Sequence, residues 1–232
     1  MTLKLNGSSS GSVSIDAPAS TTGGADVTFK LPVADGTSGQ VLQTDASGQL
    51  SFTGNGGSGR KILEEFYTPC DGSTITTSAG DVTVPNITTW AGIAASDWDD
   101  LGGEGSHLTY TPPTGATQVI YTYDFQFSYS DAYPIVNARL LLDGVEVTNA
   151  RRTLACQSYI QFRANWSWGF NIGGTAVAAT GRVANWTSGK TLKWQLRDYN
   201  SSYEGQVGVS GHWEGAGSNS FMQPCIGIKA IG

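Results

Sequence analysis

Between residues 119 and 129 apolar and polar side chains alternate. Val119, Tyr121, Tyr123, Phe125, Phe127 and Tyr129 fall on one face, and Thr122, Asp124, Gln126 and Ser128 on most of the other. A period of two over this span predicts a half-buried β-strand. Gln161–Ile172 repeats the pattern, with Phe162, Ala164, Trp166, Trp168, Phe170 and Ile172 together. Thr191–Tyr199 sets Leu192, Trp194 and Leu196 against Lys193, Gln195 and Arg197. Asp143-Gly144 between Leu-rich and Val-rich arms predicts a two-residue hairpin within Arg139–Val147. Val207–Trp213 and Cys225–Ile231 read as further strands, and Lys61–Thr68 as a strand or one helical turn. Roughly eight strands after residue 60, with no amphipathic helix, predict an all-β sandwich or jelly roll.

Residues 1–58 read differently. Their β runs are short: Leu3–Leu5, Val13–Ile15, Val27–Leu31, Val41–Gln43 and Leu50–Phe52. Turn clusters separate them at Gly7–Gly11, Pro18–Gly24, Asp35–Gly39 and Asp45–Gly48. Each run offers only a few apolar residues, so one copy buries too little surface to offset its ordering entropy. Such a segment needs neighbours, either copies of itself or a docking surface on a larger particle. Residues 55–60, Asn-Gly-Gly-Ser-Gly-Arg, read as a flexible linker. The expected division is therefore 1–58 as an attachment segment and 59–232 as a head domain.

Composition sharpens this division. All seven Trp and all nine Tyr lie after residue 58. Charged residues are only 14% of the 232, and 31 glycines favour turns and strands over helices. The net charge is −6, and the thirteen Lys and Arg form no basic run. A phosphate-tracking patch is not expected, so nucleic acid is excluded as a partner. No stretch reaches the ~18 apolar residues of a membrane helix, and Met1–Gly11 lacks the apolar core of a secretory signal. A soluble protein made in a cytoplasm is expected. Cys70, Cys156 and Cys225 lack CxxC spacing and read as small buried hydrophobes.

Candidate chemistry is sparse. His107 and His212 have no metal-ligand partner at short spacing, and no Gly-x-Ser-x-Gly elbow occurs. The chain is read as a non-enzyme without cofactor or metal. Asp97, Asp99 and Asp100, flanking Trp98, raise the question of a calcium loop. Their spacing lacks the EF-hand pattern, and a solvated acidic loop is the simpler reading. Trp90, Trp98, Trp186 and Trp213 sit nearer turn residues than strand centres. They are the candidate surface contacts for stacking on a host sugar, ahead of Trp166, Trp168 and Trp194, which the alternation places inside.

Two stretches carry a resemblance. Gly36-Thr-Ser-Gly-Gln-Val-Leu-Gln-Thr-Asp-Ala-Ser-Gly-Gln-Leu-Ser-Phe52, with Leu3–Pro18 and Val27–Pro32, resembles a repeat-like segment of virion proteins of tailed bacteriophages, particularly marine cyanophage-type tail fibres. Leu108–Tyr121 and the aromatic strand after it look like the start of head domains similar to trimeric TNF/C1q-like jelly rolls. The resemblance implies a homotrimer located in the virion. Residues 1–58 would dock on other virion proteins, and the head would face a host-surface glycan or outer-membrane receptor. A short tail fibre, a capsid decoration or head fibre, and a carbohydrate-binding module all remain open on the sequence.

Overall fold

The computed structural model describes residues 3–6, 12–15, 26–45, 47–54, 60–129, 133–157, 160–213 and 219–232, the first two segments by their backbone pairing. The expected turns at Gly7–Gly11 and Pro18–Gly24 and the linker residues 55–59 lie outside the described residues. The chain forms two compact units, Met1–Gly59 and Arg60–Gly232.

In the first unit, β1 (Leu3–Asn6) pairs antiparallel with β2 (Ser12–Ile15), and β3 (Gln40–Thr44) with β4 (Leu50–Gly54). The turn between β3 and β4 is held by Asp45, whose Oδ1 accepts the backbone N–H groups of Ser47 at 2.8 Å and Gln49 at 3.1 Å. Val27–Leu31, expected as a β run, forms a single bridge, Lys30 with Gln49. Its partner is the turn at 48–50 rather than the length of a strand. Lys30 N–H donates to the Gly48 carbonyl and Leu50 N–H to that of Lys30, both at 2.8 Å, and the pairing stops there.

The second unit contains β5 (Ile62–Pro69), β6 (Thr74–Thr77), β7 (Gly80–Thr83), β8 (Ala91–Gly92), β9 (Asp99–Asp100), β10 (Leu108–Tyr110), β11 (Gln118–Tyr129), β12 (Ile135–Leu142) and β13 (Val145–Glu146). These are followed by β14 (Arg152–Ala155), β15 (Phe162–Asn171), β16 (Lys190–Asp198), β17 (Gly205–Val207), β18 (Val209–Ser210), β19 (Ser220–Phe221) and β20 (Cys225–Ile231). Two antiparallel sheets build the domain. The first runs β5-β20-β11-β15, with β17 taking over the β20 side of β11 at Phe127–Tyr129. The second runs β10-β16-β12, and β12 then pairs with β14 and β13. Numbering β5, β10, β11, β12, β14, β15, β16 and β20 from 1 to 8 in chain order, the sheets read 1-8-3-6 and 2-7-4-5. This is the double Greek key of a jelly roll.

The alternation of the sequence becomes the inside and outside of these sheets. Val119, Tyr121, Tyr123, Phe125 and Phe127 of β11 are each at most 2% exposed. They face Leu192, Trp194 and Leu196 of β16 and Val136, Ala138 and Leu140 of β12 in one core. Trp166 joins the layers: its ring lies 4.8 Å from Phe125 on its own sheet and 4.8 Å from Trp194 on the other. The aromatic strands thus fill the sandwich interior. The Asp143-Gly144 hairpin forms as expected, with φ of 50° and 76° at its two central residues, the paired left-handed geometry of a type I′ turn. Lys61–Thr68 resolves as strand β5. Val207–Trp213 is not one strand, because Gly208, at φ 74°, separates β17 from β18. Cys70 and Cys156 are buried, and Cys225 is half-buried.

Candidate functional site

The four candidate tryptophans take four different environments. Trp186 is buried, which corrects its place among the surface candidates. The loop before β16 carries it into the core, where its indole N–H donates to the Tyr110 carbonyl at 2.9 Å. It meets the rings of Tyr110 and Phe170 edge-on at 6.5 and 5.9 Å. Turn-rich flanks do not report where a loop folds back, so the sequence misplaced it. Trp90 is half-buried before β8, and Trp213 is 68% exposed. Trp168, expected inside, is half-buried, with its N–H donating to the Thr180 carbonyl at 3.1 Å.

Trp98 is the candidate with a built surrounding. β9 pairs with β16 at Gln195 and Leu196, which brings the residue preceding Asp99 over the outer face of the second sheet. The β12–β16 register sets Arg139 opposite Gln195 and Asn137 opposite Arg197. The guanidinium of Arg139 lies 4.3 Å from the Trp98 ring centre and that of Arg197 4.9 Å. Both distances are within cation–π range. Arg139 also donates through Nε and Nη2 to Gln195 Oε1 at 2.9 and 2.7 Å. The Gln195 amide in turn donates to Asp100 Oδ1 at 2.7 Å, and Lys193 Nζ lies 2.9 Å from the same oxygen. Burial opposes ionisation of Asp100, but the Gln195 amide and the Lys193 ammonium outweigh it and hold its carboxyl below the ordinary value.

Beside Trp98 an open groove of about 420 Å³ is lined by Asn137, Glu146, Arg151, Arg152, Thr153 and Arg197. Glu146 takes the Nε–H of Arg151 at 2.6 Å and lies 3.9 Å from Arg139. Arg152 donates to the carbonyls of Ala150 and Arg151 at 3.1 and 3.0 Å. Thr153 donates to Asn137 Oδ1 at 3.2 Å. Four of the chain's seven arginines (139, 151, 152 and 197) therefore meet on one face, although they are spread over some sixty residues of sequence. A scan for basic runs misses this, because cross-strand register rather than proximity in sequence assembles it. The adjacent pair Arg151-Arg152 was its one local trace.

The acidic residues at 97–100 are engaged separately. Asp97 accepts the Trp98 N–H at 2.7 Å, Asp99 accepts the Ala94 N–H at 2.7 Å, and Asp100 serves Gln195, Lys193 and Gly105. Among the described residues no three His, Cys, Asp or Glu side chains converge as a metal-binding group. A second cleft, about 670 Å³, lies against Pro112, Pro113, Ile172, Asn185 and Trp186 and is lined by no charged side chain.

The fold defines a class: the Arg60–Gly232 unit is an all-β jelly-roll sandwich. No protein-family model matches the chain, and no curated protein matches it by sequence. Among solved structures it is similar to a structure of infectious bursal disease virus, Gx strain, at 9% identity and TM-score 0.30, covering 79% of this chain and 39% of that one. It is similar also to the Gt strain of that virus at 13% and 0.22, covering 69% and 47%. A third structure, the T13 viral particle of the same virus, gives 11% and 0.24, covering 69% and 44%. The chain thus spans less than half the length of these viral chains.

Proposed function

We propose that the chain is a non-enzymatic virion structural protein of a tailed phage. It works as a homotrimer whose Met1–Gly59 unit attaches to the particle and whose jelly-roll head faces the host surface. The observation that carries this reading is a run of exposed apolar side chains in the first unit. Val27, Phe29, Leu31 and Val33, every second residue, are 61, 62, 75 and 105% exposed. Covering the exposed part of four such side chains contributes up to roughly 6–12 kcal/mol gross, available to an attachment contact. The stretch Gly36–Phe52, with its resemblance to phage fibre segments, supports the same reading. So does the head topology, which resembles that of trimeric jelly rolls.

The test is the solution mass of the full chain by light scattering after gel filtration. Three chains of 24.4 kDa give about 73 kDa, a closed cyclic assembly. A single-chain mass overturns the trimer. Labelled protein is then offered separately to host cells, isolated phage tails and empty capsids. Head-dependent binding to cells is expected. Binding to capsids alone replaces the tail-fibre reading with a capsid decoration, and binding to none of the three overturns the virion role.

A further inference from the structure

We propose that the groove beside Trp98 is a binding site for an acidic saccharide, with Arg197 and Arg151 taking a sugar carboxylate and Trp98 holding the guanidinium of Arg197 in place. The choice of a surface sugar rests on the outward-facing head proposed above.

Charge argues for an anionic ligand. The lining of the groove sets three arginines against Glu146, a local charge of +2 (3 − 1), on a chain whose net charge is −6. A ligand drawn here by charge therefore meets this face as an exception to the rest of the molecule. The state of each guanidinium decides which ones are available. Arg139 is spent on Gln195 and Glu146. Arg152 is turned onto two backbone carbonyls. Arg151 gives its Nε–H to Glu146 and is otherwise exposed. Arg197 is exposed, and among the described residues it has the Trp98 ring as its partner and no carboxylate. A guanidinium stacked on an aromatic face keeps its N–H groups in plane, where they match a carboxylate edge in bidentate fashion. Stacking also lowers the side-chain entropy lost when the ligand arrives. Trp98 is therefore a positioning residue, and Arg197 the principal contact.

The remaining lining selects a sugar over other anions. Thr153 and Asn137 place a hydroxyl and an amide beside the cations, groups that pair with ring hydroxyls. The groove of about 420 Å³ is an open but local site on one sheet face. It lacks the extended basic track that a nucleic-acid backbone follows.

The experiment titrates the full chain with a galacturonic acid trisaccharide, the same trisaccharide methyl-esterified at its carboxylates, and a tri-glutamate peptide. Calorimetry gives the affinity, and Trp98→Phe identifies the tryptophan contribution to any fluorescence change. The acid trisaccharide is expected to bind at least about tenfold more tightly than either the ester or the peptide, the effect of one bidentate charged pair. Arg197→Gln should weaken it about tenfold, whereas Arg182→Gln, the same charge change elsewhere on the head, should leave it unaltered. Trp98→Ala should weaken binding and Trp98→Phe restore most of it, with thermal midpoints unchanged. Equal binding of acid and ester, equal binding of the peptide, or no binding overturns the proposal. A head that binds the acid sugar as a single-chain species keeps this site while removing the trimer, so the two readings fail separately.

Discussion

The two units of this chain use the same alternation of apolar and polar residues, and among the described residues only one of them closes a core with it. In the head, β11, β15 and β16 are twelve, ten and nine residues long, and their apolar faces meet across two sheets. Tyr121, Phe125 and Trp194 end at 1% exposure. In the first unit β3 and β4 are five residues each. Leu42 pairs with Phe52, yet Val41, Leu42 and Phe52 remain 40, 50 and 40% exposed, and successive residues of β3 are wet on both faces. Strand propensity alone does not bury anything. A second layer must be present, and the head supplies its own, whereas among the described residues of the first unit nothing covers β3 and β4. The head should therefore carry its stability within one chain, and the first unit should acquire its stability from what it touches.

The largest effect is expected in the head. Trp194→Ala opens a cavity where Trp166 stacks and should cost about 3–5 kcal/mol, read as a lower urea midpoint with unchanged slope. Trp194→Phe should cost less than half as much. Among the described residues the Trp194 indole N–H is buried with no acceptor, so removing it relieves a cost that offsets part of the lost packing. Equal loss in both variants would show that the indole N–H has an acceptor in solution. Next in size is Leu31→Asp. On the attachment proposed above, which would cover the exposed side chains of Val27–Val33, a carboxylate there should weaken association roughly a hundredfold and leave the head's urea midpoint where it was. A midpoint lowered as far as by Trp194→Ala would break the comparison, because the two units would then share one cooperative core.

These outcomes bear on what was legible from the sequence. The long strands were, since a period of two sustained over ten residues has one physical solution. So was the Asp143-Gly144 hairpin, where two left-handed residues are needed. Short elements were less legible. Val27–Leu31 keeps the alternation but meets a turn instead of a strand, and alternation cannot name a partner. Trp186 reads as a loop residue because it is one, and only the tertiary path of the loop shows that it plugs the core between Tyr110 and Phe170. Trp98 was legible as a candidate, but its arginines were not. Arg139 and Arg197 come together through cross-strand register, which hydrophobic pattern fixes only after both strands are paired.

The smallest effect is a pH dependence, and it too should separate the units. Asp198 lies in the head at 2% exposure. Burial pushes its carboxyl up, against the N–H groups of Gly205, Asn200 and Tyr199, which pull it down. Gly205 donates to Oδ2 at 2.6 Å, while among the described residues Oδ1 is buried with no partner. A folded value above the unfolded one gives a stability contribution fully present below the unfolded value of about 3.9. It is lost as pH rises through the folded value. Asp100 acts in the opposite sense: its lowered carboxyl contributes above the unfolded value and loses that contribution as pH falls through the folded one. The two partly cancel in the intact head, so Asp198→Asn is the informative variant. The asparagine keeps an acceptor for Gly205 and cannot ionise. Its stability relative to the parent should therefore be more favourable at pH 7 than at pH 4, measured as urea midpoints at both. Asp45, in the first unit, is also held low, by Ser47, but it is fully exposed. Asp45→Asn should leave the head's pH profile unchanged. If Asp45→Asn moved that profile and Asp198→Asn did not, the titrating group would lie outside the head, and the independence of the two units would fail with it.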